Sequence, residues 1–389
     1  MHAAVKHIHA SAPILREEHA PCDAAGKLTA RTVEVLRQSQ GMRLLQSRHY
    51  GGLQADITDF YEWVRTCAQY NASAGWVAGV VGVHPWEIAL CDDKLQAEIF
   101  QQDNDTWVAS PYAPMGRAQV VAGGFILTGE WPYSTGTDHC EWVVLGGLVT
   151  DAKGEIPMPP DVRHFFLPRR DYAIVEDSWN VLGLTGTGSK NVRVTKVFVP
   201  TYRTVGHMAM CDGQYIDRQP QALLYHLPFA CVFSAAITSA TFGIARGTID
   251  AYREQLQTRV STSGVVARTD PFQQEALAEA ESDLAAGIAH IDLLSLNMLD
   301  HLGRSQPMNT TLRLDFRRNQ VRAVQRVLTS VERLLARAGS PAIWTTKRIE
   351  RYWRDLRTAA THICNVTDPI YLAWANHDLK QDGMINAFY

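Results

Sequence analysis

The chain has 389 residues, of which 46% are hydrophobic and 20% charged, as in ordinary globular proteins. At this length a chain can bury a large core and divide into two or three subdomains. The formal net charge of −3 gives no basic surface for a nucleic acid partner. No apolar run approaches a membrane span, and the seven cysteines lack CxxC spacing. We therefore expect a cytoplasmic protein with reduced thiols and no membrane partner.

Residues 1–105 are predicted to be helical. The stretch from Asp56 to Ala68 begins with acidic residues and carries apolar side chains at helical spacing. The stretch from Ala72 to Val83 has no charged residue, which predicts a helix that is buried on all sides. Core packing is the ordinary explanation for Trp76 within it. His84 follows this predicted helix directly, and we expect either a hydrogen-bonded boundary histidine or one that faces a cavity and exchanges protons.

From Thr106 to about Arg203 the pattern changes to short runs rich in Val, Ile and Phe, separated by turn-forming residues. This pattern predicts an antiparallel β unit. The predicted strand runs are Gln119–Thr128, Trp142–Val149, Arg163–Pro168, Tyr172–Val175 and Val192–Val199.

Two clusters of Gly, Pro, Ser and Thr flank the first of these strands, at Ser110–Gly116 and Gly129–Cys140. Loops of this composition carry free N–H groups and hydroxyls. The Trp131-Pro-Tyr sequence in the second cluster adds a flat apolar surface beside those donors. The combination suits a planar ring with polar edges, such as a flavin.

Helices return from about Pro228. The predicted helical segments are Ala235–Gln255, Pro271–Leu302 with a proline in its first turn, Arg313–Ala338 and Ile343–Ala373. Helices, then a β block, then more helices, without βαβ alternation, predict an α+β fold. We expect an N-terminal helical domain over residues 1–105, a central β domain over 106–218 and a C-terminal helical bundle over 219–389.

Several common catalytic motifs are missing from the sequence. Neither a GxGxxG turn that opens a helix nor a Walker A loop is present, because Gly183–Ser189 leads into a strand and is best explained as a turn cluster. His-Glu-x-x-His and clustered acid and histidine patterns are absent, so we expect no metal site. The Gly-x-Ser-x-Gly elbow of many hydrolases is also absent.

Two further positions leave alternatives open. His362 is equally compatible with a functional site and with a hydrogen-bonded histidine on a helix surface. The segment Arg317-Arg-Asn-Gln320-Val-Arg322 is cationic. A solvated helix face is its ordinary explanation, and a phosphate site is the functional one.

The order of the segments resembles the acyl-CoA dehydrogenase fold, with N-terminal helices, a central antiparallel β domain and a C-terminal four-helix bundle. In detail the chain resembles more closely the oxygenase components of two-component flavin-dependent aromatic monooxygenases. These include 4-hydroxyphenylacetate hydroxylase, a steroid-phenol hydroxylase and indole-oxidising relatives. The resemblance covers nearly the whole chain. The motifs that carry it are Gly75-Trp76, Val81-Gly-Val-His84-Pro-Trp86, Ser110–Gly116, Gly129–Cys140, Gly183–Ser189 and Arg351-Tyr-Trp-Arg-Asp355.

The resemblance implies an enzyme that hydroxylates an electron-rich aromatic ring, a phenol or an indole, through a C4a-hydroperoxyflavin formed with O2. It implies a diffusible cofactor, reduced FAD or FMN, which a separate NAD(P)H:flavin reductase supplies. It also implies a homotetramer.

The resemblance assigns roles to individual residues as well. The residues expected to line the flavin are Trp76, Ser110, Trp131, Ser134 and Thr135, with Thr135 near N5, where many relatives carry serine. Those expected to reach its phosphate, across a subunit interface, are Arg317, Arg318 and Gln320. The expected catalytic residues are His84, Ser110, Thr135 and His362. The expected substrate contacts are His84, Tyr112 and His362.

Two alternatives stay open at this point. A true acyl-CoA dehydrogenase of this fold uses a glutamate base in the C-terminal helices. The stretch from Leu356 to Asp368 contains no glutamate, while glutamates are plentiful earlier in the bundle. A non-catalytic flavin-binding relative of the same fold is the other alternative.

Overall fold

The computed structural model describes residues 1–260, 264, 266–306 and 308–381. Within them the chain begins with a set of six α-helices. These are α1 (Ala3–Ala10), α2 (Ala12–Ala25), α3 (Ala30–Ser39), α4 (Ile57–Tyr70), α5 (Ala72–Ile88) and α6 (Asp93–Phe100).

Close packing of small residues explains why α5 is buried. The Asn71 side chain caps the helix by accepting a hydrogen bond from the Ala74 N–H at 3.0 Å. A Cβ added at Gly75 would lie 2.2 Å from the Cα of Ala68 in α4. Only glycine therefore allows the two helices to approach so closely. The prediction of a buried helix in this segment is confirmed.

The strands form one sheet. They are β1 (Val108–Ala109), β2 (Gly116–Val121), β3 (Gly124–Ser134), β4 (Trp142–Thr150), β5 (Val162–Pro168), β6 (Ala173–Val175), β7 (Lys190–Pro200) and β8 (Thr204–Gly206). Their order is β6-β7-β3-β2-β4-β5-β8, with β1 beside β4. The predicted run Gln119–Thr128 is split into β2 and β3 by a hairpin turn at Gly123, whose φ is +79°.

The sheet is mixed rather than purely antiparallel. The pairs β2–β3, β3–β7, β4–β5, β5–β8 and β6–β7 are antiparallel as predicted. However, β1 and β2 both run parallel to β4. The reason is that β1 and β2 follow each other along one edge of β4, separated by the loop Ser110–Met115, in which Pro111 accepts the Gly146 N–H at 3.0 Å. Two prolines in that loop have no N–H to donate to a ladder.

The C-terminal helices are α7 (His207–Cys211), α8 (Phe229–Thr258), α9 (Pro271–Gly303), α10 (Thr310–Ala338), α11 (Arg348–Ala360) and α12 (Asp368–Asp378). Contrary to the sequence expectation that no apolar run approaches a membrane span, α8 is long and apolar enough to cross one. However, 94% of its most apolar stretch is buried inside the fold, as in a core helix. The predicted single segment Ile343–Ala373 is in fact two helices. The turn Ile363–Asn365 breaks it, and Pro369 lies in the first turn of α12, where a proline is tolerated.

The α+β fold class is confirmed, since all the described strands lie between Val108 and Gly206 with helices before and after them. The exact domain boundaries stay a prediction. Within the fold, the loop after β1, the end of β3 and the turn before α12 lie around α5.

Candidate functional site

One face of α5, with Trp76, Val80 and His84, is the centre of the candidate site, and we refer to it as the α5 cleft. Trp76, Val80 and His84 are four residues apart and therefore lie on the same face of the helix. Within Ala72–Ile88 every residue except Val80 is buried. Trp76 and His84, at the two ends of this face, are thus buried, whereas Val80 between them is partly exposed. At 1.5 Å per residue, Trp76 and His84 are about 12 Å apart along the helix axis.

His84 lies inside α5 rather than just after it, so the predicted helix end at Val83 was wrong. The helix continues through Pro85, which costs it one hydrogen bond of the ladder. The His84 ring contacts the backbone oxygen of Val108 through Nδ1 at 2.5 Å, and Ser110 Oγ through Nε2 at 2.7 Å. A carbonyl oxygen only accepts, so Nδ1 carries the proton and Nε2 accepts from the Ser110 hydroxyl.

Burial keeps His84 neutral. Its side chain is 0% exposed, and this desolvation lowers its pKa to about 4, although the nearby Glu87 carboxyl acts in the opposite direction. His84 and Ser110, both predicted as site residues, are thus in direct contact. In this arrangement, however, the free lone pair of the imidazole is occupied by the serine hydroxyl.

Tyr112 covers His84 at this end of the cleft, with ring centroids 5.8 Å apart, and Phe233 of α8 lies 5.9 Å from the same ring. The Tyr112 hydroxyl donates to the carboxylate of Glu87, which is fully buried one turn after His84. Burial and this carboxylate hold the pKa of Tyr112 well above its usual value. The sequence interpretation missed Glu87, although it is the only acidic or basic residue apart from a histidine in Ala72–Ile88.

A directed chain of hydroxyls holds Thr135. Thr187 Oγ1 donates to the backbone oxygen of Leu184 at 2.7 Å, which uses its only proton. Ser189, 2.8 Å away, must therefore donate to Thr187, and Thr135, 2.8 Å from Ser189, must donate to Ser189. Thr135 Oγ1 is left with acceptor lone pairs only.

The Gly183–Ser189 segment is what places this chain. It forms a 3₁₀ turn at Thr185–Thr187, in agreement with the predicted turn cluster. The Asp355 carboxylate of α11 accepts the Leu184 N–H at 2.6 Å and also contacts His19 Nε2 at 3.0 Å. The turn is thereby fixed against α2 and α11.

Two buried hydroxyls at the junction of β3 and α5 test whether the site fits a flavin. Neither Ser134 Oγ nor Ser73 Oγ has a hydrogen-bond partner among the residues that the structure describes. Gly186 lies beside Ser73, and Gly136 lies against Val77 of α5. A buried hydroxyl without a partner costs about 1–3 kcal/mol. The polar edge of a flat ring beside either hydroxyl would supply its missing partner, so the residues fit the group.

Trp131 lies in β3, whereas the sequence predicted it in a loop. Its indole is 0% exposed, packs against Gly116 and Gly129, and donates from Nε1 to the backbone oxygen of Gly146 at 2.7 Å. It stabilises the end of β3 from inside the sheet. A direct contact with a flavin stays a prediction for this residue.

His362 lies at the other end of the cleft, edge-on to Trp76 with ring centroids 5.6 Å apart. It caps the turn Ile363–Asn365, because its Nδ1 accepts the Cys364 N–H at 3.2 Å. Burial, and then the positive charge of Arg317, lower the pKa of His362 to about 4. The neutral ring therefore carries its proton on Nε2 and offers a hydrogen-bond donor.

The three residues predicted to bind a phosphate are separated by the fold. Arg317 and Gln320 are 0% exposed and both donate to the backbone oxygen of Cys364 at 3.1 Å, so they hold the turn that carries His362. A solvated face is therefore the wrong description of these two. Arg318 is the more accessible one, 3.0 Å from Asp315 and stacked over Trp374. It lines a hollow of about 430 Å³ between α10 and α12 together with Arg322.

Comparisons with known proteins show the family of the chain. A family model described as "Acyl-CoA dehydrogenase, C-terminal domain" matches residues 235–367. The flavin-dependent monooxygenase oxygenase subunit HsaA of Rhodococcus jostii (strain RHA1) is 35% identical over 378 residues, 95% of this chain and 96% of that protein. The oxygenase component of p-hydroxyphenylacetate 3-hydroxylase from Acinetobacter baumannii is 30% identical over 338 residues, 85% of this chain and 78% of that protein.

A solved structure is similar over the whole chain. The crystal structure of 3-HSA hydroxylase from Rhodococcus sp. RHA1 superposes with a TM-score of 0.92 at 34% identity and covers 98% of both chains. The expected acyl-CoA dehydrogenase-like fold is thus confirmed. The chain belongs to the oxygenase components of two-component flavin-dependent monooxygenases.

Proposed function

We propose that this enzyme hydroxylates an electron-rich aromatic ring, a phenol or an indole. It works in a two-component system, in which a separate NAD(P)H:flavin reductase supplies reduced FAD or FMN. When bound, the reduced flavin supplies two electrons and activates O2. The observation that carries the proposal is the position of two hydrogen-bonded histidines at the two ends of the α5 cleft: His84, held by Val108 and Ser110, and His362, held by the Cys364 N–H beside Trp76.

The hydrogen-bond donor that His362 offers favours a phenol over an indole as the substrate. Its Nδ1 is occupied by the Cys364 N–H, so Nε2–H is the group left to meet a substrate. A phenolic oxygen that has lost its proton accepts such a bond, and the bond steadies the charge that moves into the ring. An indole nitrogen donates instead and gains nothing from a second donor. The apolar Val80 side chain and the Trp76 edge suit the flat ring itself.

The end of β3 supplies the contacts to the flavin edge. The resemblance puts Thr135 near N5, which bears a hydrogen in the reduced flavin, and Thr135 Oγ1 offers an acceptor there. Ser134 Oγ, buried beside it, has both its proton and its lone pairs to offer. We infer that these two residues share the polar edge of the ring, with Ser110 and Trp76 on its other sides.

The contribution of each hydroxyl is measurable as an affinity. Thr135→Val keeps the shape and removes the acceptor, and Ser134→Ala removes the second hydroxyl. Each should weaken the binding of reduced flavin by about 2- to 12-fold, the equivalent of one net hydrogen bond of 0.5–1.5 kcal/mol. An anaerobic titration gives the Kd. If both variants bind reduced flavin as tightly as the parent enzyme, the assignment is wrong.

Arg318 is our candidate for the flavin phosphate, since Arg317 and Gln320 are occupied in the bundle core. The Arg318 hollow lies on the outer side of α10, where a second copy of the chain would bring its flavin. We infer a homotetramer, since exposed leucines continue along the neighbouring helices α9 and α12 at Leu293, Leu296 and Leu372. Arg318→Ala should weaken FMN binding but not riboflavin binding, and light scattering should report the tetramer.

We place the enzyme in the cytoplasm, where its free cysteines stay reduced.

The activity itself is tested with the enzyme, a flavin reductase, NADH and catalase, over a panel of phenols and indoles. We expect a hydroxylated product and a slower reoxidation of reduced flavin by O2 than in free solution. His362→Ala should lower the product yield while the Kd for reduced flavin stays nearly unchanged. Peroxide as the sole product for all substrates, with flavin reoxidising at its free rate, would contradict the proposal.

A further inference from the structure

A line of hydrogen-bonded side chains leads away from the Tyr112 end of the cleft. Tyr112 donates to Glu87, and the other carboxylate oxygen of Glu87 is 2.5 Å from Nδ1 of His164 in β5. Nε2 of His164 is in turn 2.9 Å from Nδ1 of His207, the first residue of α7. Beyond it, Cys211 Sγ lies 3.8 Å from His207 Nε2.

Exposure increases along this line. Glu87 and His164 are 0% exposed, whereas His207 is only partly buried. Phe229 of α8 packs along the chain, with its ring 5.7 Å from Tyr112, 5.6 Å from His164 and 6.2 Å from His207. The line therefore connects the interior with the partly exposed α7, and an aromatic wall borders it on one side.

The protons of the line have a definite order. With Glu87 as the carboxylate, His164 donates to it from Nδ1, and its Nε2 accepts from His207 Nδ1–H. Burial lowers the pKa of His207 to about 4, which agrees with a neutral ring in this position. Every donor in this arrangement points toward Glu87. A carboxylate taken fully out of water is costly, and two donors directed at it offset that cost.

The cleft needs such a line because its own histidines cannot exchange protons freely. His84 Nε2 is occupied by Ser110, and His362 Nε2 already carries its proton. Hydroxylation replaces an aromatic C–H by C–OH and reduces the second oxygen atom of O2 to water, with two electrons from reduced flavin. A proton has to reach that oxygen atom at the end of α5 where His84 is 0% exposed.

We propose that His207, His164 and Glu87 form a proton path from the surface to Tyr112 in the cleft. This proposal rests on the monooxygenase function proposed above. His207 takes up a proton at Nε2 and passes its Nδ1 proton to His164, which passes its own Nδ1 proton to Glu87. The Glu87 carboxyl group rotates and gives this proton to the Tyr112 oxygen as the Tyr112 hydroxyl releases its proton into the cleft. One proton enters and one leaves, so the charge of the line is unchanged. Both imidazole rings are then in the other tautomer, and each must flip to restore the starting order before the next proton passes.

The first test uses the flavin-free enzyme and needs no turnover. The Nδ1 proton of His164, bonded to a carboxylate, is observed by NMR of protein with 15N-labelled histidine and is assigned by its loss in His164→Gln. His207→Asn keeps a donor toward His164 but cannot take up and pass on a proton. Exchange of the His164 proton with water should slow by on the order of 10²-fold. Exchange at the parent rate or faster would overturn the path.

The second test is chemical rescue during turnover. His207→Ala should shift the products from hydroxylated aromatic to hydrogen peroxide, and imidazole in the buffer should restore hydroxylation. His226→Ala is the matched control, a partly buried histidine bonded to the Gln219 backbone oxygen and outside the line. Its product ratio should equal that of the parent with and without imidazole. A His207→Ala enzyme that hydroxylates normally, or one that imidazole does not restore, would contradict the proposal. If the parent enzyme itself fails to hydroxylate, the proposed function is refuted. The proton path is then decided by the exchange measurement, which uses the flavin-free protein and needs no turnover.

Discussion

The dependence of stability on pH should report the buried neutral state of His84. Its ring is 0% exposed, and burial lowers its pKa to about 4, whereas the unfolded chain has the ordinary value of about 6.5. Between these two pH values the unfolded state binds more protons than the native state. Stability contributed by the neutral ring is therefore complete above about pH 6.5 and is lost as the pH falls toward 4.

The size of this loss follows from the two pKa values. Linkage gives about 2 kcal/mol between pH 7.5 and pH 5.0, and about 3.4 kcal/mol once the pH is below 4. Urea unfolding of the parent and of His84→Gln at pH 7.5 and 5.0 measures it. The fixed cost of the substitution cancels in the comparison, so the parent should lose about 2 kcal/mol more than the variant.

Ser110→Ala serves as the control for this measurement. It removes the hydroxyl that donates to Nε2 but leaves the imidazole buried, so the larger part of the pH-dependent loss should remain. If the parent and His84→Gln lose the same stability between the two pH values, His84 is not held neutral by burial, and the assignment of its tautomer loses its basis.

Three further substitutions test the packing around the cleft. Gly75→Ala places a Cβ 2.2 Å from the Cα of Ala68, so thermal unfolding should show a destabilisation of at least about 1–3 kcal/mol. Gln320→Leu removes the donor to the Cys364 carbonyl and should cost about 1–3 kcal/mol. It should also lower product yield through His362, with the Kd for reduced flavin retained. Val80→Phe adds a large side chain at the exposed position between Trp76 and His84 and should raise the KM for the aromatic substrate. If flavin binding weakens by the same factor, Val80 does not lie specifically against the aromatic substrate.

The fold was largely predictable because its elements carry strong local patterns. The uncharged run in α5 and the proline-started pattern of α9 are visible without knowledge of any contact. The missed features depend on context. The parallel course of β1 and β2 depends on the path of the Ser110–Met115 loop, and the break at Ile363–Asn365 depends on a histidine cap that sequence spacing does not show.

The site was predictable where its residues lie on α5 or against it, and less so elsewhere. His84, Ser110, Trp76 and His362 were each expected at the site, and the structure shows a His84–Ser110 hydrogen bond and a Trp76–His362 ring contact. Arg317 has the same pattern as a surface arginine, and only the bundle shows that it is buried. Glu87 and His164 are 77 residues apart, and nothing in either local sequence indicates their contact.

The fixed direction of the hydroxyl chain also explains how a diffusible cofactor can be taken up in one redox state and released in the other. In the proposed site Thr135 Oγ1 can only accept, because its proton is directed to Ser189. Reduced flavin presents N5–H to that acceptor, while oxidised flavin presents a lone pair. Two facing acceptors leave a buried group unsatisfied, which costs about 1–3 kcal/mol, or about 5- to 150-fold in affinity. No change of protein conformation is needed for this preference, since the hydrogen that the flavin loses on oxidation is the one that we propose Thr135 binds.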